Sequence, residues 1–204
     1  MRIPIPQTNG EYLARVRALP ADIRRYHAPR WPFVQDVVRA VADVVDAGLG
    51  EDKSGMAFQD ARRVLEVGPY HLPVVPGCDT IDLRPRWGAE FVGDARRLDT
   101  WPPAVAAVRR DLVIAIQVFE HIGTVEQTWQ AFCNLRGLLY RPWGRLILSV
   151  PFRWPVSAGV THAGVDWALI RRWTAGALPL DVRVSGHTLQ RMILVYGPPE
   201  EVGA

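Results

Sequence analysis

Five short runs of apolar, β-favouring residues limit the folds that this sequence can adopt. They cover residues 64–67, 80–83, 90–92, 112–116 and 146–150. The runs at 112–116 and 146–150 are almost continuously apolar, which is typical of strands covered on both faces, as in parallel sheets. Between them, Thr124 and Gln127 have capping-box spacing and apolar residues follow at helical intervals, so a helix is predicted there.

The remaining segments complete an α/β pattern. The first 50 residues predict two helices, one over 11–19 that ends at Pro20 and one from Pro32 toward Gly48. Near the C-terminus, runs at 182–184 and 189–195 predict a closing pair of strands. The predicted fold class is α/β, with a doubly wound, Rossmann-like, mostly parallel sheet, an antiparallel C-terminal strand and N-terminal helices.

Length and composition are typical of one soluble globular domain. The 204 residues are 49% hydrophobic and 22% charged, and a chain of this size can bury a core without disulfides or metals. The sequence has no run of 18 apolar residues and no apolar signal core at its start, so neither a membrane segment nor a secretory signal is predicted. Cys78 and Cys133 are the only cysteines and lack metal-ligand spacing, so we expect no metal site and a cytoplasmic location.

Arginine supplies 23 of the 24 basic residues, since Lys53 is the only lysine. Such an excess is compatible with binding of nucleic acid or phosphate. The net charge is only +3, however, because 21 acidic residues balance the basic ones. Codon bias is therefore the favoured explanation.

Residues with ligand-binding chemistry follow the predicted strands, and open parallel sheets bind ligands beyond the carboxyl ends of their strands. Gly68 follows the first strand and lets a ligand approach the backbone closely. Asp82, at the end of the second strand, can accept hydrogen bonds from both hydroxyls of a ribose. Asp94, after the third strand, can accept one from an adenine amine. Either acid could instead be a solvated turn residue.

Five stretches of the sequence resemble, in order, the motifs of class I S-adenosylmethionine-dependent methyltransferases of the type 11 kind. They are RRVLEVGPY, TIDLRP, FVGDARRL, DLVIAIQVFEHI and RPWGRLILSVPF, and they lie within residues 61–152. Each match is weak alone, but five in the right order at predicted strand ends favour this fold. The resemblance implies one domain over 1–204, with N-terminal helices (1–55), a cofactor-binding core (61–152) and a substrate-side segment with the closing strands (153–204).

The resemblance also implies S-adenosylmethionine as the cofactor. The cofactor-binding residues that it implies are Glu66, Gly68, Pro69, Tyr70, Asp82, Leu83, Asp94, Ala95, Gln117 and Val118. Asp82 would hold the ribose hydroxyls, Asp94 with Ala95 the adenine edge, and Gln117 would lie beside the sulfonium. Glu66 lies within an apolar strand, where an unpaired carboxylate is costly, so we expect a partner for it at the site.

Two histidines are the candidate catalytic residues. His121 follows the fourth strand in an element resembling the frequent EHI of the family, and it could take a proton from the acceptor. A structural histidine at the helix entrance is the alternative. His162 lies in the Gly-containing segment after the fifth strand, where the family often carries an acceptor-binding insertion. The stretch 166–173 after it predicts a short helix.

The first motif departs from the family pattern. Additional glycines usually follow Gly68 and open a helix, whereas this chain has PYHLP in their place. The 11 residues 69–79 include three prolines. They can span back along a strand, but they cannot also form a three-turn helix. We therefore expect an irregular loop in place of the first crossover helix.

The function that these features favour is S-adenosylmethionine-dependent methyl transfer to a hydroxyl or amine of a small molecule or glycan-like acceptor. The altered glycine loop keeps open a catalytically inactive binding or scaffold protein of the same fold. A nicotinamide-dependent oxidoreductase is disfavoured because no complete GxGxxG follows the first strand. Nucleic acid is disfavoured as a partner. Amino-methylating DNA enzymes usually carry Asn/Asp-Pro-Pro-aromatic after the fourth strand, where this chain has QVFE. Cytosine-C5 enzymes need a Pro-Cys nucleophile, and neither cysteine here follows a proline. No membrane partner is expected, and a homodimer is compatible with the sequence.

Overall fold

A single seven-stranded sheet organises the chain. The computed structural model describes residues 9–27, 31–48, 61–154, 165–186 and 190–200. The strands are β1 (Val64–Val67), β2 (Asp79–Asp82), β3 (Phe91–Val92), β4 (Leu112–Ile116), β5 (Arg145–Pro151), β6 (Asp181–Ser185) and β7 (Arg191–Tyr196). Their order across the sheet is β3-β2-β1-β4-β5-β7-β6. Strands β1 to β5 are parallel, and β7 runs antiparallel to both β5 and β6. The predicted fold class is confirmed.

Two hydrophobic clusters cover the two faces of this sheet. On one face, α5 (Val125–Gly137) and α6 (Trp167–Trp173) pack against each other and the strands. On the other face, α1 (Asn9–Ala18) and α3 (Trp31–Gly48) pack over β1, β4, β5 and β7. Every residue of β1, β4 and β7 except Ile116 is buried, as strands covered on both faces require.

Residues 9–27 and 31–48, as the structure describes them, form three helices, so the prediction of two was wrong. The additional helix, α2 (Ala21–His27), follows α1 after two residues. Pro20 ends α1, as predicted, but its carbonyl also accepts from the Arg24 N–H at 2.8 Å and begins α2. Proline is favoured at a helix start because the ring presets the backbone and its missing N–H is not needed there.

The first crossover has no helix, as the sequence predicted. Residues 68–78 run from β1 to β2 through turns and irregular backbone. Leu72, Val74 and Val75 in this loop are buried in the same cluster as α1 and α3. Their side chains cover part of the face that a crossover helix would otherwise cover. The connections on either side of β3 also lack a long helix and contain only 3₁₀ turns at Pro85–Trp87 and Leu98–Thr100 and the one-turn helix α4 (Pro103–Ala106).

The helix between β4 and β5 begins with the predicted capping box. The Gln127 N–H donates to the Thr124 side chain at 3.3 Å, and the Gln127 side chain accepts from the Thr124 N–H at 3.1 Å. Two backbone donors that the helix itself cannot pair are satisfied in this way. The short helix predicted at 166–173 is also present, with the Asp166 side chain accepting from the Leu169 N–H at 2.8 Å.

We expect Thr124→Ala to lower the free energy of unfolding by about 1 kcal/mol, because it removes the acceptor at the start of α5. Urea denaturation followed by circular dichroism measures this. Gln130→Ala, on the exposed side of the same helix, is the control and should change the stability by less than about 0.5 kcal/mol. Equal effects of the two substitutions would contradict the role of the cap.

Candidate functional site

A cleft of about 480 Å³ opens at the carboxyl ends of the parallel strands. Most of the residues predicted to bind a ligand line it, namely Gly68, Tyr70, Asp82, Leu83, Asp94, Ala95, Gln117, Val118 and His121. A smaller cavity of about 50 Å³ lies behind it, and the two share Gly68, Tyr70, Ile116 and Gln117. Glu66 and Pro69 line this inner cavity and not the cleft.

Gly68 presents its backbone to the cleft without a side chain. Its φ is +69°, a conformation that residues with a Cβ rarely adopt, and its N–H donates to the Ile81 carbonyl at 2.9 Å. A Cβ at this position would lie 2.7 Å from Val118 Cγ2 and 3.9 Å from Asp82 Oδ2. The missing side chain therefore leaves free the space between the ends of β1, β2 and β4.

Asp82 ends β2 and presents a partly buried carboxylate to the cleft. Its Oδ1 accepts from the Arg84 N–H at 2.9 Å, which fixes the side chain in a tight turn. Burial raises the pKa of Asp82, while the Arg84 N–H and guanidinium oppose that rise. Leu83, next in sequence, is 55% exposed and adds an apolar surface to the same wall.

Asp94 also lines the cleft, but its carboxylate already has a partner. Arg96 Nε lies 2.8 Å and 2.9 Å from the two carboxylate oxygens, and a second guanidinium nitrogen lies 2.5 Å from Oδ2. These hydrogen bonds hold the pKa of Asp94 below its usual range. A ligand that donates to Asp94 therefore meets an ionised carboxylate oriented by Arg96.

Gln117 lies between the cleft and a buried guanidinium. It follows β4 with φ +55°, and its N–H donates to the Ser149 carbonyl at 2.7 Å. Its side-chain amide lies against the guanidinium of Arg191 on β7, where hydrogen bonding favours the amide oxygen as the acceptor. Arg191 is 3% exposed, lies over the Trp154 ring at 4.7 Å and lines the inner cavity.

Glu66 faces the N-terminal helices from the middle of β1. It is 2% exposed, and its Oε2 accepts from the Val74 N–H at 2.7 Å. Burial raises the pKa of Glu66 to about 8, and the Val74 N–H and the Arg15 charge oppose the rise. Glu66 therefore has partners within the chain, in the loop that replaces the crossover helix and on α1.

Glu120 is a second buried carboxyl near the end of β4. Neither of its carboxylate oxygens has a hydrogen-bond partner within the described part of the chain. Burial raises the pKa of Glu120 to about 8. Its own backbone N–H, which does not meet hydrogen-bond geometry, and the charge of Arg191 oppose this rise. At neutral pH the group is therefore mostly a neutral acid.

Of the two candidate catalytic histidines, only His121 lies within the residues that the structure describes. His121 ends the 3₁₀ turn Phe119–His121, is exposed, and lies on the wall of the cleft, where a base could contact a bound acceptor. Its N–H donates to the Val118 carbonyl at 2.9 Å, which keeps the turn closed. His162 lies outside the described residues.

Several lining residues were not assigned from the sequence. Arg84, Trp87, Arg96 and Ile122 line the cleft, and Tyr12, His27, Ser149 and Arg191 line the inner cavity. Trp87 is one of several tryptophans whose sequence context favours packing, and nothing near His27 indicates a site. The histidine comes to the cavity because α2 packs beside the loop after β1, a contact between residues distant in sequence.

Within the described residues, no three or more His, Cys, Asp or Glu side chains cluster in a way that could hold a metal ion. The helices described there also lack the length and hydropathy that crossing a bilayer needs.

Solved structures share the fold of this chain at low sequence identity. PH0226 from Pyrococcus horikoshii OT3 aligns with a TM-score of 0.50 and 14% identity, over 79% of this chain and 91% of that one. The N-methyltransferase NodS from Bradyrhizobium japonicum WM9, in complex with S-adenosyl-L-homocysteine, aligns with a TM-score of 0.49 and 15% identity, over 78% and 98%. CalS10, an S-adenosylmethionine-bound amino pentose methyltransferase from Micromonospora echinaspora, aligns with a TM-score of 0.40 and 22% identity, over 68% and 54%.

No protein-family model matches the chain, and no curated protein matches it in sequence. The sheet order and the structural likeness confirm the Rossmann-like fold that the sequence predicted. At these identities the likeness shows the fold alone.

We expect Glu120→Gln to stabilise the protein by an amount that grows with pH. Folding raises the pKa of this carboxyl from about 4.3 to about 8, so the folded state keeps a proton that the unfolded chain releases between these values. The wild type therefore loses stability as pH rises through this window, and the variant lacks that loss. Urea denaturation should show a difference that grows by about 1.4 kcal/mol per pH unit in this window, to roughly 5 kcal/mol by pH 8, and reaches a plateau above it.

Glu126→Gln, on the exposed first turn of α5, is the control and should show no trend between pH 5 and 8. A pH-independent difference between the wild type and Glu120→Gln would show that the buried carboxyl does not titrate as described.

Proposed function

We propose that this protein binds S-adenosylmethionine in the cleft and transfers its methyl group to a hydroxyl or amine of a small-molecule acceptor. The observation that carries the proposal is that the Asp82 carboxylate, at the end of β2, lies beside Gly68, at the end of β1, where no side chain fills the cleft. Acids at this place hold ribose hydroxyls in nucleotide-binding sheets. The neighbours solved with S-adenosyl compounds agree with the proposal.

The residues present fit this cofactor. A volume of about 480 Å³ is within the usual range of ~300–1,000 Å³ for small-molecule sites. The 3.9 Å between a Gly68 Cβ and Asp82 Oδ2 shows that a side chain at 68 would enter the space in front of the ribose-binding acid. When bound, S-adenosylmethionine supplies a methyl group on a sulfonium, which a nucleophile's lone pair attacks while the carbon–sulfur bond breaks toward sulfur.

Each lining residue has a role in this proposal. Asp82 accepts from the ribose hydroxyls, and Leu83 provides an apolar surface beside the nucleoside. Asp94, oriented by Arg96, accepts from the adenine amine, and the buried Ala95 closes the end of that wall. A carboxylate has about four lone-pair sites, so Asp94 can serve Arg96 and a ligand together. Gln117 and Val118 line the part of the cleft nearest to the reacting methyl.

His121 is the proposed base. Methyl transfer requires mainly alignment of the acceptor, and an acceptor hydroxyl or amine also has to lose a proton. His121 is exposed at the cleft wall, so its ring can reach an acceptor that enters from solvent. We include His162 as a second candidate from the segment after β5.

The proposed setting is cytoplasmic, supported by two cysteines, Cys78 and Cys133, that form no disulfide.

We expect the wild type to bind S-adenosylhomocysteine and Asp82→Ala to weaken that binding at least tenfold, because two hydrogen bonds to a charged group are lost. Isothermal titration calorimetry with both variants measures the dissociation constants. Asp99→Ala removes an exposed acid that pairs with Arg97 at 2.9 Å outside the cleft, and it should bind like the wild type.

Absence of binding by the wild type, or equal affinity of the Asp82→Ala variant, would reject the proposal. Binding together with failure to label any hydroxyl- or amine-bearing acceptor from radioactive S-adenosylmethionine would instead favour the inactive binding protein.

We expect His121→Ala to lower kcat for methyl transfer by about 100-fold or more, in the range of general-base catalysis, once an acceptor is in hand. The affinity for S-adenosylhomocysteine should change less than threefold, because the histidine acts on the acceptor. Steady-state kinetics and calorimetry on the same preparation separate the two effects. A loss confined to cofactor affinity would assign His121 a structural role.

A further inference from the structure

The loop after β1 is partly buried but has no helix to pair its backbone N–H and C=O groups. A crossover helix pairs most of its own N–H and C=O groups, whereas residues 69–76 are irregular and carry the buried side chains Leu72, Val74 and Val75. Buried backbone groups require partners. Within the loop, the Leu72 N–H donates to the Pro69 carbonyl at 3.2 Å, and further partners come from outside it.

Side chains of the first two helices pair the carbonyls of the loop. Arg15 of α1 donates to the Pro73 carbonyl at 2.6 Å and to the Val74 carbonyl at 3.2 Å. His27 of α2, which is 7% exposed, lies with Nε2 2.7 Å from the Tyr70 carbonyl. Because a carbonyl can only accept, Nε2 carries the hydrogen.

The amides of the loop are paired from the sheet side. The Val74 N–H donates to Glu66 of β1, and the His71 N–H donates to the Trp87 carbonyl at 2.8 Å. Trp87 lies in the 3₁₀ turn after β2 and lines the cleft. The loop is thus held between the N-terminal helices on one side and the ends of β1 and β2 on the other.

Two consecutive residues of the loop are in the left-handed region. The φ values of Tyr70 and His71 are +44° and +68°, which cost side-chain-bearing residues about 1–3 kcal/mol each. Such a conformation persists only where the surroundings impose it. The hydrogen bonds from His27 and to Trp87 act directly on these two residues.

The imposed conformation shapes the cleft. It places the Tyr70 ring against Trp87, with centroids 4.8 Å apart, and against His27, with centroids 5.8 Å apart. Tyr70 and Trp87 together form an aromatic wall of the cleft, and Tyr70 also borders the inner cavity. The position of this wall therefore depends on a histidine outside the cleft.

We propose that His27 and Arg15 are positioning residues of the ligand cleft. They hold loop 69–76 so that Tyr70 and Trp87 form one preorganised wall. The N-terminal helices thereby support this side of the cleft in place of a crossover helix. The part of this inference that concerns cofactor affinity rests on the proposed function. The part that concerns the loop does not.

The test compares His27→Leu, which removes the donor, with His27→Gln, whose Nε2 can donate from a similar distance. Hydrogen exchange without ligand should be faster in the peptide covering 69–76 of His27→Leu and unchanged in peptides of β4 and β5. Affinity for S-adenosylhomocysteine should fall about tenfold, as expected for one hydrogen bond. His27→Gln should restore most of both properties.

Arg15→Met is the second variant, and Arg17→Met, on the exposed side of α1, is its matched control. Arg15→Met should increase exchange in the same loop peptide, and Arg17→Met should not. If His27→Leu does not fold, Arg15→Met and its control decide the test.

Unchanged loop exchange in His27→Leu and Arg15→Met would overturn the inference. Faster exchange spread evenly over all peptides would overturn it too, because that is a general loss of stability. If the wild type does not bind S-adenosylhomocysteine, the proposed function fails, and the ligand-free exchange alone decides the role of His27 and Arg15.

Discussion

A parallel sheet must be covered on both faces, and every buried backbone group near it must be paired; this requirement governs the rest of the structure. The connections from β1 to β2, from β2 to β3 and from β3 to β4 contain no helix longer than one turn. Coverage of one face therefore comes from α1, α3 and the apolar residues of the loop after β1. Helices α1 and α2 provide Arg15 and His27, which pair the carbonyls of that loop.

The polar groups of the cleft follow from where the strands end. Asp82 and Asp94 stand at the open, solvent-accessible end of the sheet, and each is oriented by a nearby arginine, Arg84 through its backbone and Arg96 through its guanidinium. Glu66 and Glu120 lie deeper, where burial raises their pKa values to about 8. Arg96 thus keeps Asp94 ionised at the cleft, whereas Glu66 in the inner cavity is mostly neutral at neutral pH.

The parts of the site that could be predicted are those placed by a strand. A residue that directly follows a parallel strand reaches the carboxyl edge of the sheet whatever else the chain does, which is why Gly68, Asp82, Asp94 and Gln117 were identified. The loop after β1 was predicted for a similar reason, since three prolines in 11 residues leave no room for a crossover helix. The additional helix α2 was missed because Pro20 can both end one helix and begin the next.

The sequence by itself determined the order of the strands along the chain, the sheet with both faces covered, and the acids at its carboxyl edge, because periodicity and strand ends are local properties of a chain. Only the tertiary structure decided that His27 contacts Tyr70, that Arg96 pairs with the Asp94 carboxylate, and that Arg191 lies against Gln117. These contacts join residues from different elements or depend on the orientation of a side chain. Both are set by packing, which no local pattern records.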